Sequence, residues 1–305
     1  MAKTADLSAT KGIRIGATML FHQHRGKDDF AADEADYDTL YGIGFRAFEV
    51  QPSNKSASWL KGLKQWAAGR EEETHIHTID FLVNIGDKPA CPVSANKDIV
   101  QRAKDVFQAH LAQAALCGAL SHFGPYSAGL LAGHYFWTPD HDARCVDFLA
   151  WANGIAANAN MLVEIETLNR FETGVSTLDH MQELFERANT GKFITHGPDT
   201  CHQAAGESST VEAWKRHDNK FGKTGHLSDS GRTIIGAEQA LTTTGIFPYL
   251  ASGQCSVNTW NIEAFGSDVD LGIAGALCLR ELPKLSGIEV MRKSFQRVVA
   301  EFAKC

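Results

Sequence analysis

The sequence predicts an α/β protein folded as a single (β/α)8 barrel, and three observations carry that prediction. Short strand-like apolar runs alternate with longer helix-like ones along the chain, and eight such units can be counted. Dividing the 305 residues among them gives about 38 per unit, roughly the length of one barrel repeat. The competing arrangement, a doubly wound open sheet, would place a GxGxxG turn after the first strand, and none is present. No stretch rich in Pro, Gly or Ser divides the chain, so one domain over residues 1–305 is expected, with C-terminal helices in 270–305 packing on it.

Taken in order, residues 12–20 (GIRIGATML) read as the first strand, followed by a polar segment and a helix over 32–41. FRAFEV at 45–50 is the second strand, a helical pattern covers 55–69, and HIHTIDFLVN at 75–84 is the third strand. The clearest helix follows: Ser94 can cap it, and Ile99, Val100, Ala103, Val106, Phe107, Leu111 and Ala114 keep helical spacing until Gly118 stops it. A fourth strand over 119–123 ends in Gly124-Pro125, and a helix spans 143–159. LVEIETLNRFE at 162–172 opens as an apolar, alternating run and closes in polar groups, the pattern of a buried strand that reaches a rim. A helix over 176–188 leads to the sixth strand at 193–196. Ser209 with Glu212 starts another helix by a capping-box arrangement, and the seventh strand covers 224–227. Between 245 and 265 two patches, IFPYL and VNTWNIEAF, compete for the eighth strand, and the second is preferred. Apolar helices are read over 271–282 and 288–302.

Composition narrows the classes of function. With 44% apolar and 21% charged residues the chain is an ordinary soluble protein, and its net charge of −7 offers no basic footprint for nucleic acid. Seven cysteines, an odd number without a CxxC pair, read as reduced thiols. The N-terminus lacks the apolar core of a signal peptide and no uninterrupted apolar run of 18 residues occurs, so a cytoplasmic protein without a membrane partner is expected.

The chemistry begins at the fifth strand. Glu164 and Glu166 stand in an apolar run, where a carboxylate needs a cation, a hydrogen-bond network or a proton. In a barrel, residues at the C-terminal ends of the strands converge on one mouth. Predicted ends five to eight offer Glu166, Asp199, His226 and Glu263, separated by 33, 27 and 37 residues and therefore drawn from successive units. Three carboxylates and one imidazole form a hard O₃N set that suits Mn²⁺, Mg²⁺ or Co²⁺ better than structural zinc. Each residue also has a plainer reading: Glu166 as a rim ion pair, Asp199 as a helix cap, His226 as a core histidine, and Glu263 as dependent on the register of the eighth strand, where Asp268 is the other acid.

The runs IETLNRFE (165–172), PDTCH (198–202), HLSDSGR (226–232) and IEAF (262–265), in that order, resemble the ketose 3-epimerases of the xylose-isomerase-like barrel superfamily, the tagatose and psicose epimerases. The resemblance covers roughly the C-terminal half; the N-terminal half supports the fold. It implies that Glu166, Asp199, His226 and Glu263 are metal ligands, for Mn²⁺ first and Mg²⁺, Co²⁺ or Zn²⁺ next, and that Glu172, His202 and Arg232 bind substrate. DTCHQAAG and HLSDS also resemble endonuclease IV, but that family's trinuclear zinc site implies an Asp-x-His pair soon after the seventh strand, where this chain reads GRTIIGAEQA.

The implied reaction is metal-dependent isomerisation or epimerisation of a small keto-sugar: a proton leaves carbon next to a carbonyl, through a metal-bound enediolate, and returns. Glu166 and Glu263 are the candidate base and acid. A lyase or hydrolase acting on an oxidised sugar or glycoside is the alternative, because the same intermediate can expel a substituent. The resemblance and the apolar C-terminal helices imply a homodimer or tetramer.

Overall fold

A computed structural model describes residues 10, 12–20, 28–52, 55–78, 89–126, 137–169, 173–237, 241, 244–268 and 284–305. Its strands are β1 (Arg14–Thr18), β2 (Ala47–Val50), β3 (Glu73–His77), β4 (Ser121–Gly124), β5 (Leu162–Glu166), β6 (Ile194–Gly197), β7 (Thr224–Leu227) and β8 (Thr259–Ile262). All eight belong to one sheet in the order β6-β5-β4-β3-β2-β1-β8-β7, and every ladder between them is parallel. The gap between β6 and β7 is bridged at His196–Phe221 and Asp199–His226, which nearly closes the sheet into a (β/α)8 barrel.

Between the strands run α1 (Glu34–Ile43), α2 (Ala57–Ala68), α3 (Lys97–Cys117), α4 (Pro139–Ala159), α5 (Leu178–Arg187), α6 (Thr200–Gly206), α7 (Thr210–His217) and α8 (Ile246–Ala251), with α9 (Gly287–Phe302) after β8. Each begins or ends where local chemistry allows it. Ser56, Thr177, Ser209 and Ser286 turn their hydroxyls back onto first-turn N–H groups, and α3 stops at Gly118 in the left-handed conformation. Helix α9 packs on α1, with Phe295 against Phe45 at 4.8 Å between ring centroids.

Several sequence expectations move. The cap of α3 is Asn96, whose side chain accepts from Asp98 N–H, while Ser94 accepts from Asn96 N–H one step earlier. The third strand begins at Glu73 and ends at His77, ahead of the 75–84 expectation. IFPYL is the start of α8, and the patch preferred for the eighth strand supplies β8. The helix expected over 271–282 lies outside the described residues.

Most outward positions of the strands (Ile15, Ala17, Phe48, Ile76, Val163, Ile165, Ile194, Trp260, Ile262) are apolar and buried. The inward positions depart from the branched apolar layers usual in such barrels. Bonds between strands that are not neighbours must cross the interior, and here they are polar: Thr259 Oγ1 donates to Glu73 at 2.9 Å, Thr224 Oγ1 donates to Glu164 at 3.1 Å, and His226 meets Glu49 at 2.7 Å. His75 joins Ser121 at 2.9 Å in the same interior. A buried polar layer of this kind is stable only when its members are paired, and among the described residues the unpaired inward atoms are those of Asn261 and of the groups at the mouth.

Candidate metal and substrate site

The strand ends β5 to β8 bring Glu166, Asp199, His226 and Glu263 together. One potential ligand atom from each lies within 4.8 Å of the others, and all four side chains are buried. His226 Nδ1 is the centre of the group, 3.6 Å from Glu166 Oε1, 3.3 Å from Asp199 Oδ2 and 2.9 Å from Glu263 Oε2.

Asp199 shows how local structure aims one of these groups. It is the N-cap of α6, and its Oδ1 accepts from Cys201 N–H at 2.7 Å and His202 N–H at 3.1 Å. The capping and site readings of this residue are therefore both realised, on different oxygens: Oδ2 faces His226 and Arg232 Nη1, the latter at 3.2 Å. Backbone bonds fix its height, since His226 N–H donates to Pro198 O at 2.8 Å and Glu263 N–H to Leu227 O at 3.0 Å.

Arg232 lies in the loop after β7 with a φ of 53°, a left-handed conformation that side chains other than glycine seldom adopt. Its N–H donates to Asp229 O, and its own carbonyl accepts from Phe265 N–H at 2.7 Å. Asp229 braces the loop by accepting from Ser230, Gly236 and Leu241 N–H. The guanidinium is thereby held among the carboxylates, paired with Glu263 as well as Asp199 and bonded to Ser228 Oγ at 3.0 Å. Strain kept in place by surrounding bonds is a mark of a working loop.

His202 stands across from it. Its Nδ1 faces Asn169 N–H at 3.3 Å, and its Nε2 lies 2.5 Å from Arg232 Nη2, a group that can only donate, and 3.4 Å from Glu166 Oε1. Phe123 supplies the floor: its ring lies 4.0 Å from that of His226 at 31°, and fits because Gly197 has no Cβ, which would stand 2.4 Å from the phenyl edge.

The electrostatics are those of a cation site. Burial alone would raise Glu166, but the imidazoles of His226, His77 and His202 outweigh it and hold the carboxyl well below its ordinary range. Burial likewise raises Asp199, and Arg232, His202 and His226 bring it down. Burial lowers His226, yet Glu49, Asp199 and Glu166 raise it well above a usual histidine. Three carboxylates surround one imidazole nitrogen, and Glu166 Oε1 and His226 Nδ1 are buried with no hydrogen-bond partner among the described residues. Carboxylates gathered this closely require positive charge among them. An oxygen-rich set with one nitrogen fits a hard or borderline divalent ion.

Of the other expected residues, Glu172 lies outside the described residues. Glu164 sits deeper, accepting from Thr224 N–H at 2.9 Å, and burial raises its carboxyl. His122 points outward from β4 to the Tyr126 hydroxyl, and Trp137 donates to Asp142 at 2.7 Å. Two neighbours were not singled out by sequence. Glu49 at the end of β2 bonds His226, and burial, which raises it, is outweighed by His226, His77 and Thr18, so its carboxyl is lowered. His77 at the end of β3 lies 3.9 Å from Glu166 Oε2. The signal for Glu49 was present: a carboxylate closing an apolar strand, as in the fifth.

Neither a family model nor a curated protein matches the sequence. Solved structures do match its fold. An L-ribulose 3-epimerase superposes with a TM-score of 0.77 at 19% identity, over 96% of this chain and 95% of that one. A D-allulose 3-epimerase from Methylomonas sp., in complex with D-allulose, gives 0.75 at 15% identity, over 95% and 97%. An IOLI protein with a bound zinc atom gives 0.68 at 13%, over 96% and 99%. The chain thus shares the (β/α)8 barrel fold of these proteins.

Proposed function

We propose that this chain is a divalent-metal-dependent sugar isomerase or epimerase, which moves a proton at carbon next to the carbonyl of a small keto-sugar. The observation that carries the reading is the convergence of three carboxylate oxygens on His226 Nδ1 at 2.9–3.6 Å in a buried mouth. The ketose epimerases that share the fold support the substrate class.

Glu166, Asp199, His226 and Glu263 would hold the ion, with Mn²⁺ favoured by the O₃N donors. When bound, it supplies Lewis-acid stabilisation of negative charge on the sugar oxygens. The remaining work belongs to side chains. Glu166 and Glu263 come from β5 and the end of β8, on different sides of the mouth, so one carboxylate can take a proton from a carbon and the other return one to its opposite face. His202 sits between Arg232 and Glu166 with its Nε2 edge in the site, near the position of a carbonyl oxygen that gains charge. Arg232, pre-set by its loop, binds hydroxyl or carbonyl oxygens, and Glu172 is assigned a hydroxyl by its place in TLNRFE. The protein is expected to work in the cytoplasm as a homodimer or tetramer on a free small molecule; no helix among the described residues is long and apolar enough to cross a membrane.

The test is metal analysis joined to a deuterium-exchange screen of five- and six-carbon ketoses. Metal-dependent entry of solvent deuterium at a carbon beside the carbonyl, with the skeleton intact, is expected. Absence of exchange across the panel by Mn²⁺-loaded protein refutes the proposal, and release of water or an aglycone replaces it with elimination.

A further inference from the structure

We infer that Glu49 is a positioning residue of this site: it holds His226 in one tautomer and one ring orientation so that Nδ1 faces the ion. The inference rests on the metal-site reading above. Glu49 is the penultimate residue of β2, a strand separated from β7 by β1 and β8, and its carboxylate and the His226 ring are both 0% exposed. Its Oε2 lies 2.7 Å from His226 Nε2 and also accepts the Thr18 hydroxyl at 2.8 Å.

The geometry decides where the imidazole hydrogen sits. One hydrogen joins Nε2 to a carboxylate oxygen that already receives another from Thr18, so it belongs to the ring. In the neutral ring, the form that ligates a cation, Nδ1 is then the lone-pair nitrogen, and it is the one that looks toward Glu166, Asp199 and Glu263. Phe123 lies along one face of the ring and His77 meets it edge-on, centroids 5.0 Å apart. These contacts limit tilt, but neither can choose between the two nitrogens. Among the described residues Glu49 does that, and a carboxylate behind a ligating imidazole typically accounts for ten- to hundredfold in metal affinity.

Glu49, His77 and His226 also gather closely enough to raise the question of a second ion. The Glu49–His226 bond commits Nε2 and Oε2 to each other, which favours one ion at Nδ1, while Glu49 Oε1 and both His77 nitrogens have no hydrogen-bond partner among the described residues, so the number of ions bound must be measured.

The experiment is calorimetric titration of metal-stripped, full-length protein with MnCl₂, and with CoCl₂ read by visible absorption, for wild type, Glu49→Gln and Thr18→Val. Glutamine keeps the volume, and its amide can present either a donor or an acceptor to Nε2. Wild type is expected to bind one ion. E49Q is expected to bind it ten- to hundredfold more weakly, with an altered Co²⁺ spectrum and a metal-free melting temperature close to wild type. T18V, which leaves the carboxylate in place, is expected to fall between them. Equal affinity and equal spectra for wild type and E49Q would overturn the role of Glu49 while leaving the metal reading intact. Two ions in wild type and one in E49Q would overturn it in favour of a second site. No ion in wild type would remove both this inference and the reading beneath it.

Discussion

Asp199 offers a way to separate what holds the barrel mouth together from what binds the ion. Its Oδ1 caps α6 through two N–H groups, and its Oδ2 faces the site. In Asp199→Asn the amide oxygen must take the capping place, because an NH₂ cannot accept, and asparagine caps as well as aspartate. The NH₂ then points at the cation position. Metal-free stability should stay within about 1 kcal/mol of wild type, or about 2 °C in melting for a chain of this length, since one of several mutually repelling carboxylates has also been removed. Metal affinity should fall by at least the tenfold to hundredfold that loss of an outer partner costs. With free Mn²⁺ at a hundred times the wild-type Kd, binding stabilises wild type by about 2.7 kcal/mol; a hundredfold weaker Kd leaves about 0.4 kcal/mol. Asp199→Ala should lose the cap as well, at about 1 kcal/mol. Differential scanning calorimetry with and without Mn²⁺ reads all three proteins. If D199N melts several degrees lower without metal yet keeps the full Mn²⁺-dependent rise, the division of labour between the two oxygens is wrong.

Three further outcomes follow from other parts of the structure. Glu166→Gln and Glu263→Gln should each lower turnover of the exchanging ketose by about 10²–10⁴, and unchanged turnover in either excludes the two-carboxylate scheme. His196, buried behind β6, is lowered to about 3 by burial first and by His217 and Lys220 next. The unfolded chain takes up this proton below about 6.5, so the stability due to neutral His196 is complete above that pH and is lost as pH falls toward 3. The slope is about 1.4 kcal/mol per pH unit, or about 2 kcal/mol between pH 6.5 and 5. Burial lowers His122 in the same direction, so His196→Gln should reduce the acid slope in urea titrations without abolishing it; a slope equal to wild type contradicts the assignment. At Gly222 an added Cβ would meet Glu164 Oε2 at 2.0 Å, an oxygen already bonded to Thr224 N–H. Gly222→Ala should therefore cost about 1–3 kcal/mol, and a neutral effect in chemical denaturation would show that Glu164 is free to move.

How much of this was legible in the sequence depends on which face of a strand carried the signal. In β5 the outward Val163 and Ile165 marked a strand while the inward Glu164 and Glu166 marked a site, and both could be read at once. In β3 the inward set is Glu73, His75 and His77, leaving Thr74 and Ile76 as the outward set. That is too little apolar character to anchor the strand, and the expected segment was drawn toward the apolar FLV further on, which lies outside the described residues. The competing IFPYL patch is buried as the α8 helix, and apolar content alone cannot distinguish a buried turn of helix from a buried strand. Loop geometry left still less trace. Arg232 was reached by motif alone, because its φ of 53° and its brace from Asp229 are properties of backbone closure with no periodicity to reveal them. Glu49 shows the remaining gap most plainly. FRAFEV and LVEIE place a carboxylate in the same inward register at the mouth end of their strands. What set Glu166 apart in sequence was its flanking TLNRFE, whereas Glu49 is flanked by nothing distinctive and acquires its meaning only when β2 and β7 face each other across the barrel. A site built in this interior is therefore partly hidden by its architecture: groups on successive strand ends can be found by their spacing, while a group that acts across the barrel has a partner 177 residues away and no local pattern to announce it.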